Sequence, residues 1–138
     1  MSLPLPSAPE SLCILRLSAI ALTTDISILT AVGNDYGYEE VFKRQVEALA
    51  CEGDVVIGIS TSGNSNNIFH ALTAANEKRC KTVGLLGRDG GSIAGVVDME
   101  LTVPVQHTPY IQEVHITVIH LLCDLVEQEL FGAGKEGA

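Results

Sequence analysis

The stretch Asp54–Asn67, DVVIGISTSGNSNN, carries an apolar run straight into a cluster of hydroxyls. Val55, Val56, Ile57 and Ile59 give way to Ser60, Thr61, Ser62, Gly63, Asn64 and Ser65. A buried strand that opens this way suits the holding of a small anion. Hydroxyls donate hydrogen bonds without a fixed charge, and Gly63 lets the backbone turn closely around a ligand. A helix starting near Asn66 would add free N–H groups carrying partial positive charge. In an open parallel sheet, ligands sit in this place, beyond the carboxyl ends of the strands. A phosphate monoester fits the description. Taken alone, the turn is equally consistent with an ordinary serine cap at a helix start.

The elements around the turn follow from hydropathy. SAIALTT (Ser18–Thr24), DVVIGIS (Asp54–Ser60) and KTVGLLG (Lys81–Gly87) are continuous apolar runs, the pattern of parallel strands buried on both faces. DMELTV (Asp98–Val103) alternates and stops at Pro104, which predicts a strand near a sheet edge. Helical spacing predicts helices over Tyr38–Ala50, Asn66–Arg79 and about Ile111–Phe131. The last carries two apolar stripes. Ile111, Val114, Val118, Leu121 and Leu125 form a three-four seam, and Ile119, Leu122, Val126 and Leu130 a second one. One stripe can cover a sheet while the other meets a partner helix. Strands alternating with helices across short glycine-rich turns predict an α/β fold, a doubly wound, mostly parallel sheet with flanking helices. Four strands are one short of a comfortable open sheet.

The chain has 138 residues, 46% of them hydrophobic, enough for one domain with a real core. A net charge of −9 argues against a nucleic-acid partner, because phosphate backbones attract basic surfaces. No apolar run approaches the roughly 20 residues that span a bilayer, so no membrane partner is expected. Cys13, Cys51, Cys80 and Cys123 form no paired metal motif, and we read them as reduced thiols, mostly core filler, in a cytoplasmic protein. GRDGG (Gly87–Gly91) lacks the full dinucleotide fingerprint and reads as a tight strand-to-helix turn. His70 and His107 read as surface residues, and His115 as a packing or interface group.

The word GISTSGNS resembles the signature of the sugar-isomerase (SIS) domain family. The likeness continues through GNDYGYEEVF, EALACEGDVVIGISTSGNSNN, GLLGRDGGSIAG and IQEVHITVIHLLCDLVE, in the family's order and over about residues 14–131. Within the family the chain is most similar to the phosphoheptose isomerases. The resemblance implies a flavodoxin-like SIS architecture and a phosphosugar isomerase. Its reaction would convert sedoheptulose 7-phosphate to D-glycero-D-manno-heptose 7-phosphate, for ADP-heptose and lipopolysaccharide precursor synthesis. It further implies that Ser60, Thr61, Ser62 and Ser65 bind phosphate and sugar, and that Asn34 and Asp35 contact substrate from the loop after the first strand. Gln112 matches a substrate and zinc position; His120 matches a zinc ligand and the catalytic acid/base. A homo-oligomer, tetrameric in the family, is implied as well.

The chemistry is compatible with those roles. Aldose–ketose isomerisation needs a base at carbon, a proton donor or metal at oxygen, and a fixed phosphate handle. Histidine transfers protons near neutral pH, and zinc would polarise the carbonyl. Gln112 and His120 lie about 12 Å apart along a regular helix, far for two ligands of one ion. Either the first helical turn bends or two subunits contribute.

The resemblance also sets a boundary. Family members carry, ahead of the matching region, further helices, a strand with a GNGGS-type loop, and a helix bearing the glutamate taken as the carbon base. No residue before Ser18 matches that base, and Glu10 lies in a Pro/Ser arm. We therefore expect a flexible arm at residues 1–13, a SIS domain lacking those helices and the first strand at 14–131, and a disordered tail at 132–138. Turnover by this shortened chain is expected to be low or absent. The alternative is a non-enzymatic SIS module that binds the bacterial replication initiator DnaA or senses sugar phosphates. Retention of both Gln112 and His120 favours the isomerase lineage.

Overall fold

The computed structural model describes residues 18–131. The arm expected at residues 1–13 and the tail expected at 132–138 lie outside the described residues, as does Cys13.

Three strands form one parallel sheet in the order β1 (Val55–Ser60), β2 (Lys81–Gly87), β3 (Met99–Val103). The register pairs Val55 with Lys81 and Ser60 with Leu86, then Val83 with Met99 and Gly87 with Val103. The carboxyl ends of all three strands therefore meet at one edge of the sheet. The helices are α1 (Ile26–Tyr36), α2 (Lys43–Leu49), α3 (Asn66–Glu77), a short α4 (Gly91–Ala94) and α5 (Thr108–Phe131). A 3-10 turn spans Tyr38–Glu40.

The core lies between α3 and one face of the sheet. Leu72, Leu86 and Ile93 form its centre, with Val56, Ile68 and Phe69 packed around them. A second cluster of Val46, Ala71, Ala74, Ala75 and Cys80 joins α2 to α3. Gly58 in β1 lets α3 sit close, since a Cβ there would lie 2.7 Å from Leu72 Cδ1 and 2.8 Å from Ile68 Cγ2. Just past Lys78, the C-cap of α3, Arg79 takes φ 61, with Arg79 N–H donating to Asn76 O and Cys80 N–H to Ala75 O, a Schellman closure that sends the chain into β2. Among the described residues, the opposite sheet face is covered at its carboxyl end, by Ile111 of α5 against Gly87. Val55, Ile57, Ile59, Met99 and Leu101 stay exposed on that face.

Two expectations are corrected here. Ser18–Thr24 forms no strand. A strand exists only through its ladder, and this segment has none: Thr24 N–H turns back to Ala21 O at 3.2 Å, while Leu22 O accepts from Gln45 Nε2 at 3.0 Å. Nor are the cysteines mostly core filler. Cys80 is buried, whereas Cys51 and Cys123 are exposed.

The long last helix is present, but only its first two turns rest on the sheet. Ile111 and His115 are buried; from Leu121 to Leu130 every residue is exposed. No helix among the described residues is long and apolar enough to cross a membrane.

Candidate functional site

The hydroxyl turn closes on itself at the carboxyl end of β1. Ser60, buried as the last strand residue, shares a hydrogen bond with Ser65 (Oγ–Oγ 2.9 Å) and a longer one with Ser62 (3.5 Å). Gly63 N–H donates to Ser60 O at 3.2 Å, and Ser62 Oγ accepts from Asn64 N–H at 3.2 Å. Ser65 is the N-cap residue of α3, yet its hydroxyl makes no cap bond to the helix. Its carbonyl instead accepts from Ile68 and Phe69 N–H. The N–H groups of Asn66 and Asn67, in the first turn, have no carbonyl one turn back within the helix. Three hydroxyls and a helix start thus face one small volume, an arrangement that suits a dianionic oxygen cluster.

A second turn, Gly87–Gly91, packs directly against the first. A Cβ on Gly63 would strike the Gly90 carbonyl, and one on Gly87 would strike Thr61 O. Gly63 and Gly90 both take left-handed backbone, φ 67 and φ 82, which a side chain would strain as well as crowd. Ile111 then closes over Gly87, where a Cβ would lie 2.6 Å from Ile111 Cδ1. This contact brings the first turn of α5, and with it the exposed Gln112, to the same end of the sheet. His115 secures that helix start, its buried Nε2 donating to Leu86 O at 2.9 Å.

Ser60, Thr61, Ser62 and Ser65 therefore sit together, with Gln112 on the neighbouring helix turn. His120 is exposed two turns further along α5, with no hydrogen bond to the hydroxyl turn. Asn34 and Asp35 lie not in a loop after a strand but in the last turns of α1, exposed, with Asn34 Nδ2 donating to Asp35 Oδ1 at 3.1 Å. The cause is local: Asp25 caps α1 by accepting from Ile28 N–H at 3.0 Å, and the helix runs on until Gly37. Sequence reasoning missed Asn64, which bridges the two turns, and gave His115 no place near the site. The glycine cluster of GRDGG was the available signal.

The described residues do not by themselves make up a complete zinc site. No three His, Cys, Asp or Glu side chains converge among the described residues. α5 is one continuous helix through Gln112 and His120, so these two donors alone fall short of the three or four protein ligands zinc takes. An open cleft of about 580 Å³ lies at the other end of the sheet, lined by Asn76, Arg79, Lys81 and Asp98. It opens at the amino ends of β2 and β3, away from the edge where such sheets take ligands.

The SIS domain family matches residues 13–87. The chain belongs to the SIS domain family. It is 72% identical over 115 residues to the phosphoheptose isomerase of Syntrophotalea carbinolica, covering 83% of this chain and 59% of that one. Against the phosphoheptose isomerase of Geobacter sulfurreducens it is 68% identical over 115 residues, covering 83% and 61%. Among solved structures it superposes on the phosphoheptose isomerase GmhA of Neisseria gonorrhoeae with TM-score 0.79 and 52% identity, covering 80% of this SIS chain and 62% of that one. The phosphoheptose isomerase of Francisella tularensis gives TM-score 0.80 at 42% identity, covering 82% and 63%. The chain thus spans about three fifths of the length of the curated relatives it matches.

Proposed function

We propose that this SIS chain is the phosphosugar-binding part of an aldose–ketose isomerase, converting sedoheptulose 7-phosphate to D-glycero-D-manno-heptose 7-phosphate in ADP-heptose and lipopolysaccharide precursor synthesis. The observation that carries the reading is the Ser60–Ser65 hydroxyl cradle at the start of α3, where the N-cap side chain makes no cap bond. The names of the relatives support the substrate class. Ser60, Thr61, Ser62 and Ser65 hold the phosphoryl oxygens together with N–H groups of the α3 start. Gln112 and the Asn34–Asp35 pair approach the sugar, and His120 exchanges a proton at a sugar oxygen.

In the reaction a base removes a proton from C1 of the ketose, an enediol forms, and a proton returns at C2 while the carbonyl moves to C1. No residue of this chain is assigned here as the carbon base, and we expect this chain alone to bind without efficient turnover. Zinc, if present in the intact enzyme, would use Gln112 and His120 with further donors, and the steps above are written without it. The protein is proposed to act in the cytoplasm as a homo-oligomer. Support comes from the exposed apolar stripe of α5, including Leu121 and Leu125.

Calorimetry with sedoheptulose 7-phosphate and with its phosphate-free parent tests the reading. Binding of the phosphate ester at least tenfold tighter is expected, because charge-assisted hydrogen bonds are each worth about 1.5–3 kcal/mol. Equal weak binding of both sugars would remove the phosphate cradle and the function built on it.

A further inference from the structure

The hydroxyl cradle and the Gly87–Gly91 turn are joined by one side chain. Asn64 Nδ2 donates to Ser62 O at 3.0 Å, inside the cradle, and Asn64 Oδ1 accepts from Ser92 N–H at 3.0 Å, at the start of α4. Alongside this bridge, Ile93 N–H donates to Gly63 O at 3.0 Å. The joint is tight. A Cβ on Gly91 would lie 2.5 Å from Asn64 Nδ2, so only glycine leaves room for the amide. The two turns are 28 residues apart along the chain at this contact, and each follows a different strand.

A carboxamide suits this position because it offers a donor and an acceptor on one planar group. Each is used on a different turn. The backbone N–H of Asn64 meanwhile donates to Ser62 Oγ at 3.2 Å, a second tie between this residue and the cradle. Asn64 itself is exposed and contributes nothing to the core. Its bonds fix the shape of the cradle from outside.

We propose that Asn64 is a positioning residue: its side-chain amide locks the Ser60–Ser65 cradle to the Gly87–Gly91 turn and so holds the phosphate-binding donors in place. This rests on the phosphate reading of the cradle. Ligand donors displaced by even an ångström lose much of their contribution, so loss of the bridge weakens phosphate-ester binding far more than it weakens the fold.

The test uses Asn64→Ala and Asn64→Asp in the whole chain, with sedoheptulose 7-phosphate calorimetry, thermal melting and residue-resolved amide exchange. For Asn64→Ala the expected result is binding weakened by about tenfold and a small change in melting temperature. Faster exchange at Ser62–Asn66 and at Ser92 should accompany it. Asn64→Asp keeps the acceptor for Ser92 N–H but loses the donor to Ser62, so it should keep Ser92 protected while the cradle amides loosen. Unchanged binding by Asn64→Ala overturns the proposal while leaving the phosphate reading intact. In Asn64→Ala, exchange that changes in the cradle but not at Ser92 overturns it too, because the two turns would then be independent. Failure of the unaltered chain to bind the ester instead removes the phosphate reading itself, and the ligand role of Asn64 with it.

Discussion

His115 ties the long helix to the sheet through the main-chain carbonyl of Leu86, at 2.9 Å from Nε2. A carbonyl only accepts, so Nε2 carries the hydrogen and Nδ1 is left as a buried atom without a partner among the described residues. The bond sits one helical turn beyond Ile111, the residue that closes over Gly87. Together they are the footing of an α5 whose residues from Leu121 to Leu130 are all exposed. Replacing His115 by Phe keeps ring volume but removes the bond to the Leu86 carbonyl, a loss of about 0.5–1.5 kcal/mol. His115→Ala adds a cavity and should cost about 2–4 kcal/mol. Urea unfolding of the two variants checks this, and wild-type stability in His115→Phe would show that the bond contributes nothing.

Two glycines separate stability from binding. Gly58→Ala places a methyl 2.7 Å from Leu72 Cδ1 beneath α3, within the core and away from the cradle. Overpacking there should cost about 1–3 kcal/mol. Gly87→Ala drives its methyl toward Thr61 O and to 2.6 Å from Ile111 Cδ1, so it must push the cradle away from the first turn of α5. Affinity for sedoheptulose 7-phosphate should fall in Gly87→Ala at a temperature where both variants are folded, and hold in Gly58→Ala. Equal affinities would show that the Gly87 contact does not shape the cradle.

Which features were legible in sequence depends on the range of the forces behind them. Lys81–Gly87 was read to the residue, since a continuous apolar run between Arg79 and a glycine turn has little else to become. α3 and α5 were found from spacing, within three residues at their ends; Pro109 stands in the first turn of α5, where its missing N–H costs no helical bond. Ser18–Thr24 has the same local pattern as β2 but no neighbouring strand among the described residues, and pairing is not a local property. The hydroxyl cradle announced itself because its chemistry is written in six consecutive residues. The amide bridge from Asn64 to Ser92 and the Gly63–Gly90 contact depend on how two strands align, which no window of sequence contains. The stripes on α5 were visible, yet only the structure separates the buried Ile111 from the exposed Leu121 and Leu125.

The cysteines should divide by reactivity. Burial pushes the Cys80 thiol above its ordinary range, and its Sγ lies 3.3 Å from Cys51 O, whereas Cys51 is open to solvent. The thiolate is the reactive form. Alkylation of the native chain at neutral pH, followed by peptide mass analysis, should mark Cys51 well before Cys80. In denaturant the two should react alike. Comparable native rates would contradict the packing of Cys80 against Val46 and Ala75.

Asp98 gives the fold a dependence on acid. Its Oδ2 accepts from Thr82 N–H at 2.9 Å and from the Thr82 hydroxyl at 3.3 Å, while Thr82 Oγ1 accepts from Asp98 N–H at 2.9 Å. These bonds join the start of β2 to the start of β3, and the Thr82 backbone bond, helped by nearby Lys81, holds the Asp98 carboxyl below its ordinary value of 3.8. A carboxyl depressed on folding contributes stability that is fully present above the unfolded pKa and lost as pH falls through the lower folded one. The contribution should therefore be intact at neutral pH and disappear below about pH 4. Asp98→Asn keeps an acceptor for Thr82 but removes the ionisation, so its stability should fall less steeply over the same acid range. Parallel acid titrations of stability for the two chains, followed by far-ultraviolet circular dichroism, decide the matter. Curves of identical slope between pH 5 and 2 would mean that other carboxylates set the acid limit.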